Sequence, residues 1–171
     1  MCRFISFHHN PLNGDVVVKD LESHSDTERM LNLNVNIWRE GHYLPNGEVE
    51  LRTTKMDKVD AVVYKESFLN KWPTFASFFN WCMEETNQTK VYKGYLYLNS
   101  LTSAKDLKLP KEIGGGLYLS SLTNAKGLKL PEKIGGYLNL CSLKSARGLK
   151  MPEKIGGGLF VSDKVRNGIK T

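Results

Sequence analysis

The sequence is poor in the residues that staple or metallate small domains. Its three cysteines, Cys2, Cys82 and Cys141, are odd in number and far apart. That excludes a disulfide framework and a paired Cys-x-x-Cys zinc site, so reduced thiols are expected. Histidine is scarce as well: His8, His9, His24 and His42 all fall within the first 42 residues. Adjacent residues of a strand point to opposite faces, so His8 and His9 cannot readily share one ion, and no recognised ligand spacing is present. No metal and no cofactor is expected. Long apolar runs are also lacking. No stretch approaches the roughly 18 apolar residues of a membrane span, and Met1-Cys2-Arg3-Phe4-Ile5-Ser6-Phe7-His8-His9 lacks the apolar core of a secretory signal. The expectation is a cytoplasmic protein with no membrane partner.

What is present is enough for one ordinary domain or two small ones. With 40% hydrophobic and 25% charged residues, the 171-residue chain is of globular composition, which excludes wholesale disorder. The net charge of +6 is unevenly placed. Residues 1–88 hold 9 Lys/Arg against 13 Asp/Glu, and residues 89–171 hold 15 against 5. A chain divided this way has either an electrostatic partner for its basic half or attraction between its halves.

The basic half is a repeat. Residues 94–114 read GYLYLNSLTSAKDLKLPKEIG, and the same 21-residue pattern restarts at Gly115 and Gly136, with a fragment from Gly157. Leu96, Leu117, Leu138 and Leu159 form one column, and Leu98, Leu119, Leu140 and Val161 a second. Others are Leu101/Leu122/Leu143, Leu107/Leu128/Leu149 and Ile113/Ile134/Ile155. One unit cannot bury so many apolar positions alone, but stacked units make a continuous core. Each unit has two Leu-x-Leu segments, one after the glycines and one before the proline. Alternation marks a strand with one buried face, so both are predicted to be strands, the second closed by Pro110, Pro131 or Pro152. The Gly-Gly after each isoleucine is expected to supply backbone freedom for a corner.

The Leu-x-Leu-x-x-Leu pattern at this period resembles the leucine-rich-repeat family in its short bacterial and phage forms, over roughly 70 residues. The family's asparagine is replaced by Leu101, Leu122 and Leu143, leaving a curved horseshoe and a straighter two-sided β-solenoid as alternatives. The expected fold class is therefore an α+β domain followed by a β-solenoid or leucine-rich-repeat-like domain of about 3.5 coils. The expected boundaries are 1–88 for the acidic domain, 89–93 for a linker and 94–171 for the basic solenoid.

Residues between two inward leucines point outward, so stacking creates ladders. The first reads Tyr97, Tyr118, Asn139, Phe160. The second reads Lys108, Lys129, Lys150, with Lys105, Lys126 and Arg147 in the connecting corner. Aromatics favour protein interfaces, and aromatic rows beside cations can engage a nucleic-acid strand by stacking and phosphate contact. The plainer account is that the lysines keep a repetitive sheet soluble and the aromatics cover the leucine layer. The last coil, with Phe160, Val161, Val165 and Ile169, shows no obvious polar cap, which leaves end-on association with another copy, as a homo-oligomer, or with a partner as alternatives.

In the acidic half, residues 3–8 and 15–21 read as a β-hairpin across Asn10-Pro11-Leu12-Asn13-Gly14. Ser25-Asp26-Thr27-Glu28 has capping-box spacing before a short helix. Gly41 to Gly47 reads as a loop, Glu48 to Arg52 as a strand, and Trp72-Pro73 with Phe75, Phe78, Phe79 and Cys82 as a helix starting at the proline. Trp38, Trp72 and Trp81 are read as core.

Met1-Cys2-Arg3-Phe4, Ser23-His24, the Glu48–Arg52 strand and Trp72-Pro73 together resemble short proteins of phages and mobile elements. That resemblance implies a host protein or ribonucleoprotein as partner, in the manner of an anti-defence or anti-CRISPR factor. A non-enzymatic role is expected. Two alternatives involve a catalytic or ligand-binding first domain. Cys2, freed by removal of Met1, would be an N-terminal nucleophile, but the domain is far too short for amidotransferases of that kind. His24, Arg39, His42, Tyr43 and Glu48 would make a small-ligand pocket.

Overall fold

The computed structural model describes residues 5–9, 16–17, 39–51 and 58–169. The first of its three sheets is antiparallel, in the order β2-β1-β3-β4, from β1 (Ile5–His9), β2 (Val16–Val17), β3 (Arg39–Tyr43) and β4 (Val49–Leu51). The expected hairpin is present, with His8 opposite Val17 and His9 opposite Val16. The expected loop from Gly41 to Gly47 is strand as far as Tyr43 and loop only from Leu44 onward. Gly41 pairs with Phe7 on one side and Leu51 on the other, and the turn comes later, where Leu44 N–H donates to Glu48 O at 2.8 Å. A glycine read as punctuation here lies inside the strand. The helix expected near Ser25–Glu28, together with Trp38, lies outside the described residues.

Two helices follow. The first, α1 (Lys58–Lys71), was not anticipated, because its apolar run Ala61–Tyr64 is continuous rather than periodic and its valines are β-branched. Phe68 lies in the core and Leu69 packs against it. It stops at Trp72, since a residue preceding proline is pushed out of helical backbone. The second, α2 (Phe75–Glu85), begins two residues after Pro73 rather than at it. Thr74 is the N-cap, and a capping box with Ser77 satisfies both backbone amides. The spacing of Phe75, Phe78, Phe79 and Cys82 places all four in the core as expected.

Residues 91–161 form a β-solenoid of about three turns with a 21-residue rise in sequence per turn. One parallel ladder joins β6 (Leu96–Tyr97), β8 (Leu117–Tyr118), β10 (Tyr137–Leu140) and β12 (Gly158–Val161). The other joins β5 (Val91–Tyr92), β7 (Glu112–Ile113), β9 (Lys133–Ile134) and β11 (Lys154–Ile155). The first ladder follows the glycines as predicted. The second differs: it lies after the proline, not before it. Leu107, Lys108 and Leu109 carry no ladder; they lie between a tight turn closed by Leu107 N–H on Ala104 O and a bend at Lys111. The isoleucine supplies the inward residue of the paired segment instead, and Ile113 and Ile134 are buried.

Each coil turns tightly twice. Leu101, Leu122 and Leu143 close the first turn by donating to the carbonyls of Leu98, Leu119 and Leu140 at 3.0, 3.1 and 3.0 Å. All three side chains are buried. Their amides are satisfied within the turn, so the position has no need of a capping asparagine and is filled by an apolar side chain. The Gly-Gly corner has a different basis from the one expected. None of Gly114, Gly115, Gly135, Gly136, Gly156 and Gly157 has a positive φ. What they provide is closeness: a Cβ on Gly114 would lie 2.6 Å from Lys93 O, and one on Gly135 would strike Gly114 O.

Both ends are partly covered. At the first coil, Asn80 of α2 donates to Asp106 O at 2.8 Å and accepts from Lys108 N at 2.9 Å. At the other end, α3 (Asp163–Ile169) buries Val165 and packs Ile169 on the last coil, yet Leu159 and Val161 stay half-buried where Leu138 and Leu140 are fully enclosed. One hydrophobic cluster runs from Phe7 to Val165.

Candidate functional site: an aromatic band and a basic groove

The outward residues of the first ladder stand in one register, Tyr97 beside Tyr118, Tyr118 beside Asn139, and Asn139 beside Phe160. Tyr97 and Tyr118 stack at 4.8 Å between centroids with planes 11° apart. Sequence reasoning missed two further members. Tyr95 and Tyr137, each two residues before an outward ladder position, lie on the same face and are 48% and 45% exposed. Tyr95 stacks on Tyr97 at 6.1 Å, and Tyr137 meets Phe160 at 5.4 Å.

Their column reads Tyr95, Gly116, Tyr137, Gly158, and its glycines make room for the rings. A Cβ on Gly116 would lie 2.8 Å from Cε2 of Tyr118, so that ring covers the space a side chain would fill. The signal available in sequence was the strand's period of two, extended one step backward from Tyr97 and from Asn139.

The cations occupy another part of the coil. Residues 104–107, 125–128 and 146–149 each form a β-turn closed by the leucine amide on the alanine carbonyl, at 3.2, 3.0 and 2.9 Å. Its third position is left-handed: Asp106 (φ 61°), Gly127 (φ 81°) and Gly148 (φ 75°). Its second position is cationic in every coil, Lys105, Lys126 and Arg147. The amide of each donates to the side-chain oxygen two residues back, of Ser103, Asn124 and Ser145, at 3.3, 3.1 and 3.2 Å.

Three adjoining concavities of about 890, 580 and 400 Å³ run along this corner, and each shares lining residues with the next. Lys105, Lys108, Lys126, Lys129 and Arg147 line them. Lys150 is exposed in the same column but is not part of that lining. No aromatic ring lines any of the three, so the aromatic and cationic side chains do not share one surface.

In the N-terminal sheet the ligand candidates diverge. Arg39 opens β3, and His24 is outside the described residues. His42 and Tyr43 are neighbours on β3 and so face opposite sides. His42 Nδ1 lies 3.5 Å from Oε2 of Glu50, which is largely exposed. Tyr43 is fully buried among Phe68, Phe75 and Phe78, its hydroxyl donates to Trp72 O at 3.1 Å, and burial raises its phenol pKa. Glu48 is exposed in the turn. Among the described residues no group of three or more His, Cys, Asp or Glu is placed to hold a metal ion, and no helix is long and apolar enough to cross a membrane.

These features define a class: a short parallel β-solenoid built onto a small helix-and-sheet unit, with an aromatic sheet face and a basic corner. No protein-family model matches the chain, and no curated protein or solved structure matches it.

Proposed function

We propose that this is a non-enzymatic interaction protein whose solenoid, of leucine-rich-repeat type, docks on a partner protein through the aromatic band. The observation that carries the reading is the band itself. Tyr95, Tyr97, Tyr118, Tyr137 and Phe160 form a set of ring contacts on one rigid sheet face, and three of the five are about half exposed. Tyrosine and phenylalanine are enriched at the centres of protein interfaces, where they supply large contact area for little loss of side-chain freedom. A parallel ladder holds the rings in fixed register, so the surface is organised before any partner arrives.

The resemblance of Met1-Cys2-Arg3-Phe4 and Trp72-Pro73 to phage and mobile-element proteins sets the kind of partner: a host protein or ribonucleoprotein, inhibited in the manner of an anti-defence factor. Serine in place of Tyr97, Tyr118 and Phe160, with Tyr95 and Tyr137 added in a second variant, is expected to abolish partner capture while the circular dichroism spectrum is retained. Undiminished capture by the folded five-residue variant contradicts the reading.

A further inference from the structure

The basic corner is too organised to serve only solubility. Its cations do not lie along a sheet edge, where lysine would block edge-to-edge pairing. They line a continuous concavity, joined at Asn124, Lys126, Gly127 and Lys129 between the first two segments and at Ser145 and Arg147 between the next two. Lys144 and Lys164 extend it toward the last coil.

The solenoid's acids are kept away from it. Of the five Asp/Glu in residues 89–171, Glu112, Glu132, Glu153 and Asp163 are outside the groove, and only Asp106 lines it. The contrast with the second ladder is direct: there Lys133 meets Glu112 at 2.8 Å between rungs, whereas no groove cation has a carboxylate partner among the described residues.

We propose that this groove binds the phosphodiester backbone of a single-stranded nucleic acid without reading its bases. Three features select that ligand. The receptor's charge is periodic, since a cation at the second position of each turn recurs with every coil, about 4.8 Å apart along the stack. A regularly charged polymer matches such a row, while the charges on a folded acidic protein are irregular. The concavities are of small-ligand volume and follow one another along a single corner of the coil, a path that suits one strand's backbone. The lining offers cations, Ser103, Asn124 and Ser145, and apolar stems, but no ring on which a base could stack, so affinity comes from phosphate contact alone. Asp106 is the one opposing charge, and it sits at the end of the groove nearest α2.

The test uses the full chain and fluorescein-labelled 12-nucleotide oligo-dT, oligo-dC and a 12-base-pair duplex, read by anisotropy across a salt series. The proposal expects dT and dC affinities within about twofold. It expects a log–log salt slope of about −0.7 for each phosphate neutralised, and the duplex bound more weakly. Replacing Lys126, Lys129 and Arg147 with glutamine should weaken oligonucleotide binding about tenfold or more and flatten that slope. Asp106→Asn keeps a residue that tolerates the left-handed backbone and removes the charge, so it should tighten binding.

Tyr97→Ser with Tyr118→Ser should leave oligonucleotide affinity unchanged, which separates this groove from the aromatic band. Equal binding of duplex and single strand, an unaltered affinity in the folded triple variant, or stronger competition by polyglutamate than by unlabelled oligo-dT overturns the proposal. The last of these outcomes would assign the groove to an acidic protein.

Discussion

Tyr97 and Tyr118 are 21 residues apart in the chain, yet their rings lie face to face with centroids 4.8 Å apart, in register on adjacent parallel strands. Both remain part-exposed, and the leucines that hold their strands together lie on the other face. Stability and surface are thereby separable. A double-mutant cycle of Tyr97→Ala and Tyr118→Ala should give a coupling of about 0.5–1.5 kcal/mol, read from denaturant midpoints. By contrast Leu119→Ala, at a fully enclosed position, should cost about 2–5 kcal/mol. Equal costs for the outward and inward substitutions would contradict this division.

The glycine corner yields a graded test. Gly135→Ala puts a Cβ against Gly114 O, backbone that cannot swing aside, so the variant should lose more stability than the roughly 1–2 kcal/mol that a left-handed conformation costs an L residue. Gly148→Ala has open space around it and suffers only its φ of 75°, so its loss should stay near that figure. Thermal unfolding of the two variants decides the order.

Asn80 stands where a coil preceding the first would be. Its amide makes both hydrogen bonds to the Asp106–Lys108 corner that α2 supplies. Asn80→Ala removes both partners. The Lys108 amide is then expected to exchange with deuterium much faster, while amides at Leu119 and Gly135, bonded between coils, keep their protection. Unchanged exchange at Lys108 would show that the contact does not hold the corner.

The thiols should differ sharply. Cys82 is enclosed, and burial pushes its pKa well above the ordinary range, whereas Cys141 is exposed. In the native protein iodoacetamide is expected to modify Cys141 and to spare Cys82 until unfolding, as read by peptide mass spectrometry. The same shift has a consequence for stability. The folded state keeps Cys82 protonated, while the unfolded chain ionises near pH ~8.5, so Cys82 favours folding less as pH rises past that value. The raised pKa values of Tyr43 and Lys133 act in the same alkaline direction. Cys82→Ala should flatten the loss of stability between pH 8 and 10; an unchanged slope would contradict the assignment.

The repeat was legible because its inward columns recur without a slip, and a stacked core demands just that. The second ladder was not, because Leu107-Lys108-Leu109 alternates like a strand, and alternation cannot reveal that the turn at 104–107 and Pro110 leave it no paired neighbour. The column holding Tyr95 and Tyr137 was hidden by Gly116 and Gly158: a row alternating ring and glycine does not look like an aromatic ladder until the Tyr118 ring is seen to occupy the space beside Gly116. Helix α1 was missed because Ala61–Tyr64 is a continuous apolar run rather than a periodic one, and the β-branched Val59, Val62 and Val63 lean toward strand. The basic groove was half legible. Lys105, Lys126 and Arg147 were visible as a column, but the concavity depends on left-handed turns at Asp106, Gly127 and Gly148, of which the first carries no glycine to announce it.

Site-specific photocrosslinking reads whether the aromatic band is a docking surface. p-Benzoylphenylalanine would be placed at Tyr118 or Tyr137 on the band, and at the exposed Glu132 outside the band as control, in cells that carry the gene. The account predicts one discrete protein adduct, common to the two band positions, absent from the control, and lost when Tyr97 and Phe160 are changed to serine. No adduct from the band, or the same adducts from Glu132, would contradict it.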